Sequence, residues 1–190
     1  FRVLQKEQIV LTGSSRTDAG VHALQNFFHF DFEKEMHPHF VYKMNAILPA
    51  DIVVRKFMSV TNDAHCRFDA ISREYKYYIY RHKDPFLKDR AFYFPFSLEL
   101  EAMQEAAGQI KKYTDFTSFS KRNTQVKTFN CSIMECKWEW EDECLVFYVE
   151  ADRFLRGMVR ALVATMLKIG RGKMTLSEFE SVIAEKDCSK

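Results

Sequence analysis

Residues 128–151 read TFNCSIMECKWEWEDECLVFYVEA. Two runs rich in apolar and aromatic residues, Thr128 to Trp140 and Leu145 to Ala151, are joined through the acidic group Glu141, Asp142 and Glu143, the pattern of a β-hairpin. Helical periodicity lies on both sides of it. Upstream, Leu98 to Tyr113 repeats apolar residues at Leu100, Met103, Ala106, Ala107 and Ile110. Downstream, Phe154 to Lys168 does the same through Leu155, Met158, Val159, Leu162 and Met166, with Gly170 as the expected stop. Thr175 with Glu178 three residues on forms a capping box, opening a last helix that contains Leu176, Phe179 and Ile183.

Towards the N-terminus, Ser72 to Tyr80 alternates Arg73, Tyr75, Tyr77 and Ile79 with Glu74, Lys76, Tyr78 and Tyr80, which predicts a strand whose first face mixes core with polar groups. Residues 24–33, carrying Phe28, Phe30 and Phe32, and residues 51–60 read as two more strands, neighbours of one another. Strands and helices are interspersed without strict alternation. The expectation is an α+β fold, a largely antiparallel sheet flanked by helices. No repeat and no linker divides residues 1–190, which read as one region, with room for two sheet-and-helix subdomains.

Composition narrows the class further. The 190 residues suit one domain or two small ones, and 6 Gly with 4 Pro exclude collagen-like and low-complexity chains. An apolar fraction of 47%, with 18 Phe, 8 Tyr and 2 Trp, supplies a core and argues against disorder. The longest stretch without Asp, Glu, Lys or Arg runs from Ala19 to Phe30, too short for a transmembrane helix, so no membrane association is expected. Five cysteines, at 66, 131, 136, 144 and 188, form no C-x-x-C pair, which fits reduced thiols and a cytoplasmic protein. His37 with His39, and Cys131 with Cys136, lack a companion pair at zinc spacing, so no metal is expected. The first residue is Phe1 rather than Met, and Lys190 comes shortly after a helical pattern; the chain reads as an internal piece, incomplete at both ends.

The formal charge of +2 hides a polarised distribution. Glu135 to Asp152 holds seven acids and one base, whereas Arg153 to Ser177 holds six bases and no acid. Further bases gather at Lys121, Arg122 and Lys127, and at Arg67, Arg73, Lys76, Arg81 and Lys83. Such clusters can neutralise phosphates. Each taken alone also fits a solvated face.

Leu11 to Ala23, LTGSSRTDAGVHA, packs Gly, Ser, Thr and Asp into a polar loop before the Phe-rich stretch. Asp18-Ala19-Gly20 suits an ordinary turn. Arg16, Thr17 and Asp18, with His22 close behind, nevertheless make the loop more elaborate than a minimal hairpin requires. Neither the Asp-Thr-Gly order of aspartic proteases nor the Asp-x-Asp of phosphate-transfer aspartates is present.

Arg16 to Ala23 closely resembles the Arg-Thr-Asp-Ala-Gly-Val-His-Ala signature of the tRNA pseudouridine synthase family known as TruA. The resemblance continues through Asn45 to Ile52, Arg67 to Ala70, Arg73 to Tyr77, Asp115 to Phe119 and Phe154 to Arg160, covering nearly the whole chain in order. It implies a pseudouridine synthase fold and isomerisation of uridine to pseudouridine in the anticodon stem-loop of tRNA, with no cofactor. It also implies a homodimer.

By the same resemblance Asp18 is the catalytic carboxylate, which attacks the anomeric carbon or carbon 6 of the base, or assists a glycal route; all three remain open at this point. Arg160 corresponds to the cation that keeps the carboxylate ionised, Tyr75 to the ring that stacks on the target uracil, and Arg16 to the side chain that helps evict the nucleotide. Thr17, His22, Arg67, Arg73, Lys121, Arg122, Arg153, Phe154 and Arg156 are the remaining candidate RNA contacts. At spacings of three and four, Arg153, Arg156 and Arg160 would form one basic helix edge.

Overall fold

The computed structural model describes residues 1–121 and 126–188, so Arg122 lies outside the described residues. The chain divides into two compact units, Phe1–Ala70 and Ile71–Lys190. Among the described residues no helix is long and apolar enough to cross a membrane.

The first unit carries little regular structure: a short helix α1 (Arg2–Gln5), a two-stranded ribbon of β1 (Thr12–Gly13) and β2 (Phe28–His29), and α2 (Phe40–Ile47). The strand expected over 24–33 is therefore reduced to Phe28–His29, paired with Thr12–Gly13 rather than with 51–60. Residues 51–60 form no strand. Their fixing point is the Asn45 amide, which receives the Val54 N–H on Oδ1 and donates from Nδ2 to the Val54 C=O, both at 2.8 Å. A side chain thus supplies the hydrogen bonds a neighbouring strand would give. The aromatic residues predicted to face a sheet instead cluster edge to face, Phe1 against Phe30, Phe32 and Phe40, and Phe57 against Phe30 and Phe40.

The second unit is α+β, as expected. Its sheet contains β3 (Arg73–Tyr80), β4 (Phe92–Tyr93), β5 (Ile133–Glu141) and β6 (Cys144–Ala151) in the order β4-β3-β6-β5, antiparallel except for the β3/β4 pair. The acidic hairpin turn is present between Glu141 and Cys144, with Asp142 at φ 51°, a left-handed conformation that Asp tolerates better than most residues. One face of the sheet carries cross-strand rows, Tyr77–Phe147–Trp138 and Tyr75–Val149–Cys136 among them, that pack under α3 (Leu100–Ile110) and α4 (Met158–Gly170). A bulge between Ile133 and Glu135 makes this possible. Strict alternation from Ile133 would turn Glu135, Lys137 and Glu139 inward; the extra residue, exposed Met134, turns Cys136 and Trp138 inward instead.

α3 also protects the β5 edge, because Gln104 Oε1 accepts the Trp138 N–H at 2.7 Å. The Trp138 indole donates to Met166 Sδ at 3.4 Å, so its buried N–H is partnered from α4. α5 (Leu176–Glu185) begins at the predicted Thr175/Glu178 capping box, both halves of which are formed.

One sequence expectation is corrected at the start of α4. The helix starts at Met158, not Phe154, because Gly157 takes φ +78°, a left-handed conformation that ends the preceding turn and admits no easy side chain. Gly170 is the last residue of α4, the expected stop, although the left-handed conformation follows at Gly172 (φ +65°) rather than at Gly170 itself. Gly170 is a contact glycine: a Cβ there would stand 2.4 Å from Met103 Sδ, and its carbonyl accepts the Glu99 N–H at 2.7 Å just before α3.

Candidate active site

The loop that holds Asp18 is closed at its base by the β1/β2 pairs Thr12–His29 and Gly13–Phe28. One step further in, the Ser14 N–H donates to Phe27 C=O at 2.8 Å and the Ser14 hydroxyl donates to Asn26 Oδ1 at 2.7 Å, leaving residues 15–26 as the loop proper. A Cβ at Gly13 would stand 2.9 Å from the edge of the Phe28 ring, so a larger residue there would have to push that exposed ring aside. At the tip, the Val21 N–H donates to Asp18 C=O at 3.1 Å with Gly20 at φ +76°, the geometry of a turn that needs glycine in its third place. The structure thereby gives a physical reason for the Asp-Ala-Gly-Val order, which turns the backbone directly after Asp18. Arg16, Thr17, Asp18 and His22 all share this loop and are exposed. Arg67 belongs to the same unit, in a turn where its guanidinium stands 6.0 Å from the Phe68 ring centroid.

The second unit assembles the other candidates on the helix-covered face of the sheet and at the start of α4. Tyr75, half-buried on β3, is met edge-on by Phe154, with ring centroids 5.0 Å apart and planes at 86°. Phe154 therefore fixes the plane of the Tyr75 ring. Next along the same face, burial pushes the Tyr77 hydroxyl above its usual range, and the nearby positive charge of Arg160 opposes that shift. Arg160 is in the first turn of α4, a turn with no acidic residue. A cation there opposes the helix dipole, at a cost of about 0.3 to 1 kcal/mol, and both fields favour a negatively charged group in front of it.

The basic edge expected from Arg153, Arg156 and Arg160 is not one helix face: Arg153 and Arg156 lie in the segment before α4. Arg156 is joined instead by Lys121, whose N–H donates to Arg156 C=O at 3.2 Å and whose side chain lies over Gly157. Arg73 gives one guanidinium N–H to Asp152 C=O at 2.8 Å, bracing β3 where it meets the end of β6. The opposite face of the sheet is unsuited to phosphates. It presents Glu74, Glu135, Glu139, Glu141 and Glu150 against Lys76 and Lys137, and the Tyr148 hydroxyl among them is pushed up to about 12, by burial first and then by Glu74 and Glu150. Among the described residues no cluster of three or more His, Cys, Asp or Glu could hold a metal ion.

Comparison with known proteins adds the missing context for this constellation. The chain is 46% identical over 187 residues to tRNA pseudouridine synthase A of Parabacteroides distasonis, an alignment covering 97% of this chain and 74% of that protein. The chain belongs to the tRNA pseudouridine synthase family. The family model described as tRNA pseudouridine synthase matches residues 113–190. Proteins of the same name from Bacteroides thetaiotaomicron and Staphylococcus saprophyticus are 46% and 36% identical, over 96% and 97% of this chain and 69% and 70% of their own lengths.

Sequence reasoning overlooked two functional supports. Asn45, quoted only as part of a family block, is the bracket that holds Val54. Asp69, likewise quoted only within a block, accepts the His65 N–H at 2.6 Å and closes the turn that holds Arg67. An Asn or Asp side chain that bonds backbone at another position is legible as a support only once that partner is known.

Proposed function

We propose that this protein isomerises uridine to pseudouridine in the anticodon stem-loop of tRNA, with Asp18 as the nucleophilic carboxylate and no cofactor. The observation that carries this reading is the intact Arg16–Ala23 loop, presented from a closed ribbon stem, in a chain 46% identical to a protein named tRNA pseudouridine synthase A. Its chemistry requires the base to be released from nitrogen 1 of the glycosidic bond, turned, and rejoined through carbon 5. A carboxylate suits each route because it can add to carbon and leave again.

Arg160 pairs with the ionised Asp18 in this mechanism and keeps it from taking up a proton where water is excluded. Tyr75, its ring plane set by Phe154, stacks on the flipped uracil. Arg16 helps evict the nucleotide from the stem, at a cost of roughly a few kcal/mol that phosphate contacts from Lys121, Arg122, Arg153 and Arg156 offset. Thr17, His22, Arg67 and Arg73 complete the RNA-facing set, and a homodimer in the cytoplasm presents it to one tRNA across two subunits. Incubation with tRNA carrying tritium at carbon 5 of uridine tests the reaction directly. Release of tritium in step with pseudouridine formation is expected; binding without release would reduce the protein to an RNA-binding module.

A further inference from the structure

We propose that Cys66 and His29 clamp the stem of the Asp18 loop and act as positioning residues for its chemistry, an inference that rests on the role given to Asp18 above. β1 and β2 contribute two residues each, and a two-stranded ribbon of this length does not hold its shape unaided. Ser14 secures the loop side of the ribbon through Asn26 and Phe27. The outer pair, Thr12 and His29, is secured by Cys66. Its thiol donates to the Thr12 carbonyl at 3.3 Å and lies 3.2 Å from His29 Nδ1, while its backbone N–H donates to the same Nδ1 at 3.2 Å. One residue therefore grips both strands at a cross-strand pair, and Nδ1 must be unprotonated to accept, which leaves the imidazole proton on Nε2.

The grip is anchored elsewhere in the unit. His65 C=O accepts the N–H groups of Phe68 and Asp69 at 3.0 Å, Asp69 Oδ2 accepts the His65 N–H, and His65 Nδ1 accepts the Arg67 N–H at 3.2 Å. This turn, residues 65–69, also presses the His65 ring edge-on against His29, with centroids 4.6 Å apart. The Arg67–Ala70 block is thus tied to the nucleophile loop through Cys66, whose short thiol donates to Thr12 while its own backbone N–H reaches His29. A stem free to open would let Asp18 wander, and a displacement of about 1 Å can cost about a hundredfold in rate.

The test is single-turnover tritium release and tRNA affinity, measured on the protein and on His29→Leu, His29→Asn and Cys66→Ala, with hydrogen exchange at residues 12–14 and 27–29. His29→Leu is expected to lose about tenfold or more in rate, with the Kd for tRNA within about twofold and faster exchange confined to the stem. His29→Asn, whose Oδ1 can accept the Cys66 N–H, should recover most of the rate, a rescue that simple packing would not give. If His29→Leu does not fold, Cys66→Ala decides: slower release with faster stem exchange supports the clamp. Folded variants releasing tritium at the parent rate would overturn it, as would a loss confined to tRNA affinity. Were the parent protein to release no tritium, the isomerase reading would fail first and the clamp's catalytic role with it; an active parent with unaffected variants removes the clamp alone.

Discussion

The two units are built on different principles. In Phe1–Ala70 the only buried residues among those described are Phe40 and Ser14, and order comes from side chains that bond backbone: Asn45 to Val54, Cys66 to Thr12, Asp69 to His65. In Ile71–Lys190 a continuous apolar core joins β3, β5 and β6 to α3, α4 and α5, with Phe116, Phe147 and Phe179 wholly buried. Burial is therefore concentrated in the second unit, and local opening is expected first in Phe1–Ala70. The candidate nucleophile lies in the lightly built unit and its candidate cation and stacking ring in the densely packed one. Substitutions should separate accordingly into losses of rate and losses of stability.

The largest expected effect is Asp18→Asn. Isomerisation should fall by roughly 10⁴-fold or more, the scale on which an enzyme loses rate when its nucleophile is removed. Thermal unfolding should be unchanged, because the Asp18 side chain is exposed. Substantial multiple-turnover activity in a preparation free of deamidation would break the assignment. Phe147→Ala should do the reverse, since it empties the central strand beneath Trp138 and costs about 3 to 5 kcal/mol in denaturant unfolding. A loss below 1 kcal/mol would show that the core is less continuous than its packing indicates.

Gly170→Ala is a smaller probe of the same core. Its Cβ must displace Met103 and Leu98, an overpacking worth about 1 to 3 kcal/mol, read as a lowered unfolding midpoint without a change in RNA affinity. The smallest effect is expected at Asp115. Its carboxyl is held below the usual value of 3.8, chiefly by the Thr117 hydroxyl, which donates at 2.7 Å, and then by the Thr117 N–H and Lys186. A carboxyl lowered by folding stabilises the native state above its ordinary pKa, and that contribution drains away as pH falls through the lowered value. Asp115→Asn should therefore cost about 1 kcal/mol near neutrality and flatten the stability profile below pH 4. An unaltered acid limb would mean that Asp115 contributes no charge-dependent stability.

Legibility followed the same division. The hairpin, α3 and the α5 capping box could be read from the chain because each is a local pattern whose periodicity or spacing is itself the cause of the structure. Strand expectations failed in the first unit, where aromatic alternation over 24–33 and the apolar content of 51–60 feed a ring cluster and a side-chain bracket rather than a sheet. Near α4, helical periodicity ran back to Phe154 and masked the left-handed Gly157 that starts the helix at Met158.

Asp18 and its loop were determined by the chain itself, since Arg16–Ala23 is contiguous and the turn after Asp18 needs Gly20 wherever the loop is placed. Arg160 and Tyr75 could be named from motif blocks. Their surroundings could not: the Phe154 edge against Tyr75, and the company of Arg160 with Tyr77, join β3 to the start of α4 across about eighty residues of sequence. The Met134 bulge and the Cys66 grip on Thr12 and His29 were likewise invisible in sequence. Both depend on which long-range partner satisfies a given N–H, C=O or thiol, and a linear pattern records the need for a partner without recording which one meets it.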